Sequence, residues 1–276
     1  MEQDEIRLAL IDAGLSRVAD ELTELAENCI GIQSIAAKDS DTPIGASKFG
    51  GRPDMPSGAS WPTWNGQPLA FLCQINLAAV NPMDDDQLLP SDGLLLFFYV
   101  ADQSTWGFDP KDRGSWSVQY FPDTELVRTE WPDELDEESY YPACSLDFGI
   151  GVTLPGWETD ELDQLNLSDE EQDQYFEFTE FEHHLLGHPQ EIQGAMQLEC
   201  QLVSNGLYCG DASGYNDPRA EELKSGESDW RLLLQLDSDD HADWMWGDCG
   251  RLYFWITSED LESQNFSNCW MILQCG

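Results

Sequence analysis

Short apolar runs, each closed off by Gly, Pro, Asn or Asp nearby, limit what this chain can become more than any other feature. LAFLCQINL (69–77), LLLFFYVA (94–101), WSVQYF (116–121), MQLECQLVS (196–204), WRLLLQLD (230–237), RLYFWI (251–256) and WMILQC (270–275) all have strand length, and several are dense in aromatic residues. None approaches the ~20 apolar residues that a membrane helix requires. The chain is expected to build a sheet-rich core.

Helix enters at two places. In EIRLALIDAGLSRVADELTELAEN, residues Ile6, Leu10, Leu15, Val18, Leu22 and Leu25 recur at helical steps, with a bend expected near Gly14. Residues 1–44 therefore read as an N-terminal helix and a linker, and 45–276 as the main domain. Ser168 with Glu171 three residues on forms a capping box, which starts a second helix near 169–186 with an aromatic face from Tyr175 to Leu186. Between the first helix and the first strands, SKFGGRPDMPSGASWPTWNGQP is too rich in Gly and Pro for either element, and reads as an ordered loop pinned by aromatic side chains.

Charge narrows the function classes. The chain has 12 Lys and Arg against 54 Asp and Glu, a formal net charge of −42. Binding to nucleic acid or an anionic membrane depends on Lys and Arg against phosphate, so both are excluded. With 41% hydrophobic residues and 11 Trp, wholesale disorder is excluded too. Residues 123–182 hold 20 acidic residues against a single Arg128, and read as an acidic insert. The first 30 residues lack a basic stretch followed by an apolar run, and the eight cysteines form no C-x-x-C pair. The expectation is a cytoplasmic protein with reduced, mostly buried thiols.

Two stretches repeat one order of features. Gly51-Arg52-Pro53 precedes FLCQIN, centred on Gln74, and Asp92-Gly93 leads into LLLFFYV. Gly187-His188-Pro189 precedes LLLQLD, centred on Gln235, and Asp248-Cys249-Gly250 leads into RLYFWI. The expected pseudo-repeats are about 45–122 and 183–276. A buried, unpaired amide costs roughly 1–3 kcal/mol, so Gln74 and Gln235 must find partners. They are either ties between sheet and loop or ligand contacts.

The run SKFGGRPDMPSGASWPTWNGQPLAFLCQINL, the segment HLLGHPQEIQG and the block LLLQLDSDDHADWMWGDCGRLYFWI together resemble the YwqG-like family of uncharacterised bacterial proteins. The resemblance covers nearly all the chain beyond Gly45. It implies a cytosolic α+β fold rich in antiparallel sheet, with no established activity and a loose association with toxin–immunity systems.

Candidate chemistry is sparse. His184 and His188 stand at i, i+4 spacing, but Gly187 and Pro189 end the helix there, which spoils a shared zinc face. Asp237, Asp239, Asp240 and Asp243 resemble the opening of a calcium loop, yet Ala242 and Asp248 occupy the positions that need Gly and Glu. No serine or cysteine carries a nucleophile signature, and no cofactor is implied. Trp244-Met245-Trp246-Gly247-Asp248 reads as a hairpin or as the flank of a pocket, and Arg52, Arg231 and Arg251 stand out for scarcity. The candidate ligand-binding residues are Arg52, Gln74, His184, Gln193, Gln235, Trp246 and Asp248.

These observations favour a non-catalytic binding module whose acidic surface meets a basic protein partner, such as an immunity-type inhibitor of a basic toxin. A small-ligand binder or enzyme, with a cleft near Trp246/Asp248 and Gly51/Arg52, is the alternative. Four Lys against eight Arg, under this excess of carboxylate, also fit a chain adapted to salt.

Overall fold

A computed structural model describes residues 3–122, 125–157, 159–178 and 181–276; residues 123, 124, 158, 179 and 180 of the acidic segment lie outside the described residues. Fourteen strands are found among those residues. They are β1 (Glu27–Ala36), β2 (Lys48–Phe49), β3 (Asp54–Pro56), β4 (Thr63–Trp64), β5 (Gln67–Pro68), β6 (Ala70–Asn76) and β7 (Leu94–Tyr99). The rest are β8 (Trp116–Phe121), β9 (Leu126–Arg128), β10 (Cys144–Thr153), β11 (His183–Leu185), β12 (Trp230–Asp237), β13 (Arg251–Thr257) and β14 (Trp270–Gln274). Ten join one antiparallel sheet in the order β14-β13-β12-β11-β1-β10-β2-β6-β7-β8, while β3 pairs with β9 and β4 with β5.

The large sheet curls into a near-barrel. Its two outer strands meet through Trp116 and Trp270, whose rings lie 4.9 Å apart, and Trp116 Nε1 donates to Cys269 O at 2.8 Å. Inside, Phe97 of β7 meets Phe254 of β13 at 5.0 Å, both fully buried. This interior explains why β6, β7, β12 and β13 read as continuous apolar runs: both of their faces are covered.

The expected N-terminal helix is present as two, α1 (Gln3–Asp12) and α2 (Ala19–Leu25), with Gly14 at φ +92° between them. Leu10, Leu15 and Leu22 are fully buried there, beside Val152 and Tyr175. The linker assigned to residues up to 44 needs correction, because residues 27–36 are β1 and occupy the middle of the sheet. Four consecutive buried residues, Cys29 to Ile32, erase the alternation that marks a half-buried strand. The acidic segment likewise contains β10, the partner of β1.

Two further corrections concern helices. The helix expected over 169–186 is α5 (Asp169–Glu177), preceded by α3 (Leu77–Val80) and α4 (Asp160–Leu165). Its capping box is as expected. However, Phe178 leaves the helical region, and 183–185 pair with β1 and β12 as β11. MQLECQLVS, read as a strand, is α6 (Gln197–Ser204), with Cys200, Leu202 and Val203 buried at helical rather than alternating steps.

Candidate functional site

Across β12, β13 and β14, residues Asp237, Arg251 and Gln274 stand in register, and so do Gln235, Tyr253 and Ile272. Register puts each set on one face of the sheet. The chain after Gly187 lies against these polar residues. Gly187 takes φ +74°, and a Cβ there would sit 2.5 Å from Thr153 Oγ1, so the turn requires glycine. His188 N then donates to Thr153 Oγ1 at 2.7 Å.

The next residues are held by two buried glutamines. Gln190 N donates to Gln235 Oε1 at 2.8 Å, and Gln235 Nε2 donates to Glu182 O at 2.8 Å. Gln190 O accepts from Tyr253 OH at 2.6 Å and from Arg251 Nη1 at 3.0 Å. Ile192 N and Gln193 N both donate to Gln274 Oε1 at 2.9 Å, and Gln274 Nε2 returns a bond to Gly194 O. Residues 190–194 thus form a rigid rail.

Opposite the rail stands an aromatic wall, and between them opens a cleft of about 540 Å³. Phe181 is seated by two glycines that face each other across β1 and β10, Gly31 and Gly149. A Cβ on Gly31 would fall 2.2 Å from the Phe181 ring, and one on Gly149 would fall 3.0 Å from it. Tyr175 is anchored by its hydroxyl, which donates to Pro155 O at 2.6 Å. It supports Trp157 and Phe176, whose rings lie 4.7 Å apart and are 36% and 58% exposed. Both rings thus present apolar surface to the cleft and to solvent.

The Arg251 guanidinium at the cleft is neutralised: its Nε donates to Asp237 Oδ2 at 2.5 Å. Burial pushes the Tyr253 hydroxyl well above its ordinary value and keeps it a neutral donor. The Glu191 carboxylate fills the space that a Cβ on Gly156 would need, 2.5 Å away. Aromatic faces, amides and a carboxylate beside a neutralised guanidinium suit a planar cationic group.

Of the sequence candidates, Gln193 and Gln235 come together here. Gln74 holds a different loop: Asp54 N donates to its Oε1 at 2.8 Å, and its Nε2 donates to Ala46 O at 2.7 Å. Arg52 pairs with Asp39 and Glu130. Trp246 is fully buried, donating through Nε1 to Asp237 O, and Asp248 is exposed. His184 sits on β11, its Nδ1 2.8 Å from Leu186 O, and burial pushes its pKa down to about 4. The side-chain contacts seen for Asp237 and Asp239 are with Arg251 and with Ser34 and His183, while Asp240 and Asp243 are exposed. Burial raises the Asp239 carboxyl, but the bonds from His183 and Ser34 outweigh it and hold the group well below the usual range. Among the described residues, no three His, Cys, Asp or Glu side chains gather to hold a metal ion.

Sequence reasoning missed Gln190, Gln274 and Trp157, and read Tyr175, Phe176, Phe178 and Phe181 as one face of a helix rather than as the wall of a cleft. Gln274 had a usable signal, since it is a third glutamine inside an apolar run. Trp157 had none, because it sits among acidic residues.

A family model described as a domain of unknown function (DUF1963) matches residues 47–275. No curated protein matches the sequence. The match takes in the rail, both of its glutamine clamps and every ring of the aromatic wall, and the chain belongs to this family of domains of unknown function.

Proposed function

We propose that this chain is a non-catalytic binding module, YwqG-like within its family and acting in the cytoplasm, whose acidic surface engages a basic protein partner. One observation carries the reading. Among the described residues, eight of the 12 basic side chains are paired with the chain's own carboxylates: Arg7, Arg17, Lys48, Arg52, Lys111, Arg128, Arg219 and Arg251. The scarce cations serve the fold and leave the surplus negative charge to solvent, which speeds encounter with a cationic surface. The test is capture on the immobilised protein at low ionic strength. Basic proteins should be retained and should elute near 0.5 M salt; if none is retained, the reading fails.

We also read the chain as a duplicated unit. In support, Gly51 and Gly187 both have positive φ, and Gln74 and Gln235 clamp the loops that follow these glycines. Asn76 N donates to Ser47 Oγ as Asp237 N donates to His183 Nδ1. Leu77 N donates to Gly93 O as Ser238 N donates to Gly250 O. The strand order, read outward from the β1–β10 pair, is the same in both directions: β11-β12-β13-β14 one way and β2-β6-β7-β8 the other.

A further inference from the structure

The two halves treat their rails differently. In the first, Asp54–Pro56 follow Gly51-Arg52-Pro53, and β9 lies antiparallel beside them with Arg128 opposite Asp54. Arg128 enters the fold there. Its Nε donates to Asp54 Oδ1 at 2.5 Å, its Nη1 to Asp39 Oδ1 at 2.9 Å and its Nη2 to Thr42 O at 2.8 Å. In the second half, 190–194 follow Gly187-His188-Pro189, and among the described residues no strand lies beside them. Counted back equally from the two glycines, Asp39 and Thr42 correspond to Tyr175 and Phe178, and both of these line the open cleft. The place that an arginine of the chain fills in one half is thus a cavity in the other.

We propose that this cleft receives an extended, arginine-bearing segment of a basic partner, laid along 190–194 as β9 lies along Asp54–Pro56, with its guanidinium over the aromatic wall. The proposal deepens the basic-partner reading and uses the duplicated unit. Arginine is favoured over lysine because a planar guanidinium stacks on aromatic faces. The chain already uses this arrangement: Arg113 lies 4.7 Å from the Trp270 ring centroid, and Arg52 lies 6.0 Å from that of Trp131. Charge agrees, since Glu191 lines the cleft, and α5, whose Tyr175 and Phe176 line it too, also carries Asp169, Glu170, Asp173 and Glu177.

The probe is acetyl-LVRT-amide, the sequence of residues 126–129, titrated into the isotope-labelled full chain and followed by NMR. The amides of 189–194 and the Trp157 indole should shift. The LVQT peptide should bind roughly tenfold more weakly. Phe176→Ala, at an exposed position that folding tolerates, should weaken LVRT binding about fivefold, and Trp157→Ala should do the same. Shifts confined to Asp54–Pro56, equal binding of LVQT, or no shift at the cleft would each overturn the proposal. A low-salt retention assay with cytochrome c as the basic protein separates the two readings. Retention without LVRT binding sinks the cleft and keeps the surface; LVRT binding without retention does the reverse.

Discussion

Gln74 and Gln235 do the same work in different halves of the sheet: each accepts from a backbone N–H two residues beyond a proline-preceding Arg or His, at 2.8 Å in both cases. Each also donates from Nε2 to a loop carbonyl, at 2.7 Å to Ala46 O and 2.8 Å to Glu182 O. Both side chains are fully buried. Replacing either by Leu strands at least one donor and one acceptor, at about 1–3 kcal/mol for each group. Gln74→Leu and Gln235→Leu should each lose about 2–5 kcal/mol in urea unfolding. A loss under about 1 kcal/mol at either position would show that its loop is held by something else.

His184 supplies a pH signature. Its folded pKa of about 4 lies below the unfolded value of 6.5, so on acidification the unfolded chain binds the proton first. Stability is therefore present above pH 6.5 and drains away as pH falls toward 4, by about 3 kcal/mol in all. His184→Gln should flatten that part of the pH–stability curve. Parallel wild-type and variant curves between pH 4 and 6.5 would contradict the assignment.

Lys48 is fully buried, 3.5 Å from Asp54 Oδ2 and 3.6 Å from Asp39 Oδ1. Burial pulls its pKa down to about 8 against these attractions. Removing one member of a buried ion cluster leaves the others uncompensated, so Lys48→Met should cost about 3–5 kcal/mol at pH 7. The deficit should widen as pH rises from 8 to 10.5, because over that range the wild type gains from keeping a neutral amine folded while the unfolded amine is still charged. Chemical denaturation at pH 7 and pH 10 reads both effects.

The glycine pair beneath Phe181 links the sheet to the cleft. Gly31→Ala places a methyl within 2.2 Å of the ring, so Phe181 must move. Overpacking of this kind costs about 1–3 kcal/mol. The amide spectrum of 181–194 should change while that of the first half does not. An unperturbed cleft spectrum in a folded Gly31→Ala protein would remove Phe181 from the wall.

Screening should stabilise a chain of net charge −42, since the folded state crowds like charges that the unfolded chain spreads apart. Melting temperature should rise between 0.01 M and 0.5 M KCl, about 2–4 °C for each kcal/mol of repulsion relieved. A flat melting temperature would mean that the carboxylates are already locally compensated.

Most of the sheet was legible because its strands announce themselves by uninterrupted apolar runs bounded by turns. The capping box at Ser168 was legible for a similar reason, as Ser168 and Glu171 satisfy each other's backbone groups at short range. The centre of the sheet was not. In β1 and β10, Gly31 and Gly149 interrupt the apolar pattern, and their purpose is set by Phe181, distant from both in sequence. Gln193 and Gln235 stood out as polar residues in apolar or Gly/Pro-marked contexts. Trp157 could not, because its role depends on Tyr175 and Phe176 of another element.

The seam between Trp116 and Trp270 also sets a schedule. A ribosome finishes β8 roughly 150 residues before it delivers β14, a delay of about seven to thirty seconds at ordinary elongation rates. Through that interval the indole of Trp116 has no Cys269 carbonyl to meet, and the outer margin of the nascent half-sheet stands uncovered. Closure therefore waits until β14 has been made, and helper proteins that shield such margins would find their substrate in the interval before it.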